Sequence, residues 1–395
     1  MAGPLDGIKV IDLTMNVLGP LATQILGDYG ADVLKIEQPA GDPVRQLGQS
    51  RSPGMGAYFL NLNRNKRSVV LDLKRPAARA ALLRLIDGAD VFVHNIRTSA
   101  AARLGLDYPT LSARNPRLIY GSGTGFRQDS RLRDVPAYDD VMQGQCGLAA
   151  LNAGPDGAPR YVPTVLADKV CGITLASAVG MALYHRERTG RGQEVHVPMM
   201  ETMLAFTLVE HLAGATLGDP SLGLGYERML SPHRRPYATS DGHICVLAVT
   251  DEQWRRLFAA MDRPALIDDP RFATLPARAA NIDAVYDVVR EGMRARTTAE
   301  WRARLDAADL PNGPANTLAD LLEEPYLRET GFFTAHTHAT EGTVVTTAVP
   351  VTFSDAPASV RRLAPTLGAD TADVLREAGL DPASVSAAMA GPDGR

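Results

Sequence analysis

Asp168 stands at the head of a long helical pattern rich in Ala, Gly and Ser, Ile173 to Arg188. A carboxylate at a helix start meets free backbone N–H groups and the positive end of the helix dipole, which favour its ionised form. Such a group is either an ordinary N-cap or, when partly desolvated, a nucleophile. Position alone does not separate the two. A second set of residues is basic. Asn63-Arg64-Asn65-Lys66-Arg67 is followed by Lys74 and Arg75 beyond a strand pattern, and Arg97 and Arg103 follow another strand. The chain has a formal net charge of -4 and a pI near 6.1. Basic residues clustered in such a chain point to local phosphate binding at strand ends, or else to a solvated turn. No general field for nucleic acid is expected.

Other chemistries lack their signatures. A dinucleotide site needs G-x-G-x-x-G after the first strand, and that turn reads Thr14-Met15-Asn16-Val17-Leu18-Gly19-Pro20. Gly121-Ser122-Gly123-Thr124-Gly125 has the wrong spacing and no acidic residue about 20 positions on. Its glycines are expected to serve a tight turn or a close ligand approach, so NAD is not expected. Neither a P-loop nor a G-x-S-x-G elbow occurs. His336 and His338 alternate on a strand pattern without an evident third ligand, so no metal site is expected. Cys146, Cys171 and Cys245 are scattered and odd in number. They read as reduced, buried thiols of a cytoplasmic protein.

The elements that must position these residues alternate between strand and helix. Ile8–Leu13 and Asp32–Glu37 flank a helical stretch from Pro20 to Gly30, a βαβ unit. Ser68–Lys74, Asp90–His94, Arg117–Tyr120 and Glu194–Val197 read as further strands, with a helix from Pro76 to Ile86. This alternation predicts an α/β fold with a parallel, doubly wound sheet. Near Met199 another helix begins, and Gly214–Gly225 reads as a Gly-rich linker. Beyond a strand over His243–Val249 the pattern is mainly helical: Glu252–Met261, Ile282–Met293 and Thr298–Ala307. Strand character returns over Gly342–Phe353, and a helix over Thr371–Ala378.

The length of 395 residues exceeds one compact core. The expected organisation is a large domain over 1–213, a linker over 214–225, a small α+β domain over 226–335, and a return segment over 336–395. Apolar residues make up 45% of the chain and charged residues 22%, as in globular proteins. No secretory signal pattern opens the chain, and no run of 18 apolar residues predicts a membrane span.

Several blocks together resemble the family III CoA-transferases, the formyl-CoA transferase-like family. They include Leu26-Gly27-Asp28-Tyr29-Gly30-Ala31-Asp32-Val33-Leu34-Lys35-Ile36-Glu37, Leu71-Asp72-Leu73-Lys74, Ala89 to Arg97, Asn115-Pro116-Arg117-Leu118-Ile119-Tyr120, and Asp168 through Val197. The resemblance implies a Rossmann-like large domain with a smaller one inserted, in a homodimer of interlocked chains. It puts the catalytic aspartate on Asp168. It puts CoA contacts at or near Asn16, Val17, Lys74, Asn95, Ile96, Arg97, Arg103 and Tyr138, beside the basic turn carrying Arg64 and Lys66. Acyl-CoA and a carboxylic acid are then the partners, with no metal.

Two departures from the family pattern bear on substrate and reaction. Val17 stands where formyl-CoA members carry glutamine, and Ser231 to Tyr237 with Arg234-Arg235 replaces a glycine-rich loop. A guanidinium pair there suits the second carboxylate of an acid such as succinate, or forms an ordinary surface turn. A racemase branch shares the fold and uses a histidine where this chain has Tyr138. A phenol titrates far above neutrality, which disfavours a proton shuttle there. An acyl-CoA racemase or isomerase, and a CoA-binding protein without chemistry, remain the alternatives.

Overall fold

A computed structural model describes residues 3–390 of the chain. It divides into two compact units: Met1–Ala153, Pro159–Phe206 and Thr330–Arg395 form one, and Gly154–Ala158 with Thr207–Glu329 the other. The divisions after Phe206 and after Glu329 fall before the expected limits at 213 and 335. Gly214–Gly225 contains two short 3-10 turns, Ala213–Leu217 and Pro220–Leu222, and belongs to the second unit.

The first unit is built on a six-stranded sheet of β1 (Lys9–Leu13), β2 (Asp32–Glu37), β3 (Lys66–Val70), β4 (Val91–His94), β5 (Ile119–Thr124) and β6 (Gln193–Pro198). Its order is β3-β2-β1-β4-β5-β6 and every pairing is parallel. This is the Rossmann order, and it places a crevice where the chain reverses direction, beyond the carboxyl ends of β1 and β4. Alternate strand residues face opposite sides, and both sides are covered. Val10, Val33, Val91 and Ile119 pack against α1 (Leu18–Asp28) and against a long helix over Leu166–Thr189. Ile11, Leu34 and Phe92 pack on the other side with Leu82 of α2 (Pro76–Asp87) and with Leu375 of the C-terminal tail.

Strand β3 begins two residues before the expected strand and ends at Val70, with a turn at residues 73–74. Lys66 therefore lies inside the sheet. The tail returns as an antiparallel hairpin, Phe333–His338 paired with Gly342–Thr347, then the helices Thr371–Glu377 and Pro382–Met389. The last packs on α2.

The second unit has its own core around Trp254, Phe258, Phe272, Tyr286 and Trp301. Its three short strands, Tyr237–Ala238, His243–Val246 and Asn312–Pro314, pair antiparallel. Cys146 and Cys171 are buried as expected, but Cys245 is exposed, because it points to the outer face of that small sheet.

The long helix, though interrupted by polar residues, reaches the length and apolarity of a membrane span. Cys171, Leu175 and Val179 are fully buried in the protein. Ile173, Met181 and Tyr184 are 57%, 68% and 63% exposed.

Candidate active site

The loop after β1 and the loop after β4 meet at the crevice. Asn95 ties them: its Oδ1 accepts the Met15 N–H at 3.0 Å and its Nδ2 donates to the Met15 carbonyl at 2.7 Å. Asn16 adopts a left-handed conformation, φ 65°, which an asparagine tolerates better than most residues. Its N–H donates to Asp42 at 3.1 Å.

Below this loop lies a buried charge network. Lys35 Nζ donates to Asp42 at 2.8 Å and to the Thr14 carbonyl at 3.1 Å. Lys66 Nζ donates to Asp12 at 3.0 Å. Burial works against the charge of Asp12, but Lys66 and Lys35 hold its carboxyl below the usual range. Burial pushes Lys66 down to about 8 against the opposing pull of Asp12. Pairing of this kind makes buried charge tolerable and fixes the loop's backbone.

The cleft above has a volume of about 410 Å³. It brings together Asn16, Val17, Asn95, Ile96, Arg97, Arg103, Tyr138 and Asp168, eight of the expected site residues from segments far apart in the chain. The side chains of Arg97, Arg103 and Tyr138 are exposed at its edge. Lys74 lines an adjoining cleft of about 290 Å³ with apolar walls such as Ile36 and Leu73. Both clefts are bounded by Met15 and Ile96.

Lys66 and Arg64 do not join them. Lys66 is fully buried beneath the loop, and Arg64 is clasped by Asp28 and by Thr347 of the hairpin. Both are structural cations, because strand β3 turns Lys66 inward and the returning tail covers Arg64. Arg64 borders a different cavity, beside His338 and Glu341. His338 Nε2 donates to the Ala364 carbonyl at 2.8 Å. Among the described residues no cluster of three His, Cys, Asp or Glu side chains is placed to hold a metal. Arg234 and Arg235 are exposed on a turn of the second unit, where the Arg234 N–H donates to the Ser231 carbonyl at 3.1 Å.

Asp168 is brought to the cleft by the long helix, whose Gly172 sits one turn further on. A Cβ on Gly172 would lie 2.7 Å from the Leu18 carbonyl, so only glycine lets this helix close on the start of α1. Gly123 plays the same part: its Cβ would lie 2.4 Å from Leu18 Cδ2. Gly123 of β5 thus admits the packed Leu18 side chain.

The helix begins at Leu166 with Val165 as its N-cap, which places Asp168 in the first turn and not at the cap itself. The expectation of a carboxylate kept ionised by the helix start is corrected here. Burial first, and the neighbouring Asp139 second, push Asp168 up to about 7. Desolvation and a like charge outweigh the dipole at this position.

Sequence reasoning passed over Asp139, which opens the short helix Asp139–Gln145, and Gln143, one turn further along it. The available signal was an acidic pair at a helix start directly after Tyr138. Tyr58 was missed as well. Burial, then Asp168 and Asp139, push its phenol above its ordinary value, which sets it within electrostatic reach of both carboxylates. Such an arrangement, a reactive-range carboxylate in a cleft with guanidinium groups at its edge, can attack an electrophilic carbonyl on an anionic ligand.

The sequence profile of CoA-transferase family III matches residues 5–371. The chain is 35% identical to a succinate–glutarate CoA-transferase of Agrobacterium fabrum over 390 residues, 95% of each chain. It is 35% identical to an acetyl-CoA:oxalate CoA-transferase of Acetobacter aceti over 331 residues, 82% of this chain and 83% of the other. The crystal structure of Rv3272 from Mycobacterium tuberculosis superposes with a TM-score of 0.82 at 32% identity, covering 94% of this chain and 99% of that one.

Proposed function

From the premise that this chain belongs to CoA-transferase family III and is an acyl-CoA:carboxylate CoA-transferase, we propose that Asp168 carries the acyl group. The Asp168 carboxylate attacks the donor thioester carbonyl. A C–O bond forms, the C–S bond breaks, and a mixed anhydride and the CoA thiolate result. The thiolate attacks the aspartyl carbonyl, releasing the donor acid and leaving an aspartyl-CoA thioester. The acceptor carboxylate then displaces the thiolate to form its own anhydride with Asp168. Attack of the thiolate on the acceptor carbonyl gives the new acyl-CoA and restores Asp168. Splitting the exchange into such steps lowers each barrier, and holding the thiolate nearby keeps the steps intramolecular.

The observation that carries the reading is the place of Asp168: a half-buried carboxylate, raised to about 7, facing a cleft that Asn95, Arg97 and Arg103 also line. In this reading Arg97, Arg103 and Lys74 meet CoA phosphates, Asn16, Val17, Asn95 and Ile96 contact the carrier, and Tyr138 borders the thioester. The apolar cleft beside Lys74 accepts the far end of CoA. Lys66 and Arg64 serve the fold.

We further take at least one acid to be a dicarboxylate such as succinate. The exposed Arg234 and Arg235 pair and the names of the Agrobacterium and Acetobacter relatives support this. A homodimer is part of the same proposal. The exposed Ile173, Met181 and Tyr184 on the long helix suit burial against a second copy.

The test of the relay follows oxygen atoms. Acceptor labelled with oxygen-18 in its carboxylate leaves label on Asp168, and in later turnovers that label passes to the released donor acid. Unlabelled donor acid after verified multiple turnovers, or near-normal transfer by Asp168→Asn, would falsify the relay. A racemase would instead exchange solvent deuterium into its substrate.

A further inference from the structure

The first turn of the Asp168 helix is satisfied in an unusual way. Its N-cap, Val165, has no side-chain oxygen to offer, so the N–H at the third helical position, that of Asp168, needs an acceptor from elsewhere. Asp139 supplies it: its Oδ1 accepts the Asp168 N–H at 3.0 Å. Asp139 is itself 5% exposed, and its Oδ2 accepts from Gln143 Nε2 at 2.6 Å. Gln143, fully buried, also accepts the Val162 N–H at 2.8 Å and donates to the Thr164 carbonyl at 3.2 Å. One short helix therefore clamps the chain entering the long helix and caps that helix from outside.

We propose that Asp139 is a positioning residue for Asp168, capping its helix in trans and setting a second negative charge beside the reacting carboxylate. The inference rests on the reading of Asp168 as the acyl carrier. An ordinary Ser or Thr cap would satisfy the same N–H and leave the carboxylate stabilised by the dipole, hence a weaker base. A carboxylate cap satisfies the N–H and opposes ionisation of its neighbour. Nucleophilicity rises with basicity, as thiols show.

Other groups around Asp168 do not supply this effect. On its own helix Lys169 is turned to Thr164 Oγ1 at 2.6 Å, and Cys171 is a buried thiol pushed up to about 12 by burial, then by Asp168 and Asp139. Asp140, next to Asp139, is exposed. Arg97, Arg103, Arg133 and Tyr138 are exposed along the cleft, and Tyr58 lies within electrostatic reach of both carboxylates. His196 of β6 is bonded to Thr124 Oγ1 at 2.7 Å.

The test reads Asp168 directly and needs no substrate. The full chain is labelled with carbon-13 at aspartate Cγ, and the Asp168 resonance is assigned by its loss in Asp168→Asn. Its midpoint is expected near the value of about 7. In Asp139→Asn, which keeps an acceptor oxygen and the volume but removes the charge, the midpoint is expected to fall by about one pH unit or more. Asp139→Ala is expected to lower it too and to lose protection of the Asp168 amide against hydrogen exchange, which the Asn variant retains. An Asp168 midpoint equal in wild type and Asp139→Asn overturns the proposal. A failed relay shows itself separately, as transfer surviving in Asp168→Asn, while the titration stands apart from turnover.

Discussion

Replacing Asp168 by asparagine is expected to stabilise the protein at neutral and alkaline pH while abolishing transfer. The carboxyl is pushed from 3.8 to about 7 by burial and by Asp139. A group whose folded pKa lies above its unfolded value gives stability that is fully present below the unfolded value, here about pH 4. That stability is lost as pH rises through the folded value, about pH 7, because the folded state holds the proton longer. At about 1.36 kcal/mol per pH unit, roughly three units correspond to an upper bound of about 4 kcal/mol. Water entering the cleft screens the charge, so about 1–3 kcal/mol is the working expectation. Asparagine keeps the volume and never ionises. Urea unfolding of wild type and Asp168→Asn at half-unit steps from pH 4 to 8.5 measures the difference. The two should coincide near pH 4, separate between pH 4 and 7, and run parallel above. Identical pH dependence in the two proteins, or wild type the more stable at pH 8, refutes the electrostatic account of this site. Stability held back by an active-site charge is a common trade against function.

Three further outcomes follow from other parts of the structure. Asp42→Ala leaves the fully buried Lys35 ammonium without its carboxylate and frees the Asn16 N–H, so urea unfolding should register a loss of about 3–5 kcal/mol. Lys74→Ala and Arg103→Ala should each weaken CoA binding by about 1–3 kcal/mol in calorimetry, and Lys66→Met should act on stability rather than selectively on CoA affinity. Arg234→Ala and Arg235→Ala should lower kcat/KM for succinyl-CoA relative to butyryl-CoA; equal ratios in wild type and both variants would remove the dicarboxylate argument.

The strands and helices of the first unit were legible because each carries its own local pattern. Asp32–Glu37 is a continuous buried run bounded by turns, and Pro76 opens α2 where a missing N–H costs nothing. The return of the tail was visible as strand and helix patterns after a change of character. The residues at the cleft were reached through motif blocks. Asn16, Asn95, Arg103 and Asp168 then meet because β1 and β4 end, and the long helix begins, at one edge of the sheet.

What sequence could not decide was the direction of each charged side chain. Lys66 and Lys74 are both basic residues near a strand, yet a shift of two residues in where β3 begins sends Lys66 under the loop and leaves Lys74 at a cleft. With β3 running from Lys66 to Val70, Lys66 is held inside the sheet, whereas Lys74 lies beyond the strand's end. The reactivity of Asp168 was hidden for a related reason. Its type and helix position suggested an easily ionised acid, whereas its charge is governed by desolvation and by Asp139, 29 positions earlier. Local sequence determines backbone preference and the identity of the charges. Only tertiary packing determines how much water each charge keeps and which other charge stands beside it, and those two quantities decide its chemistry.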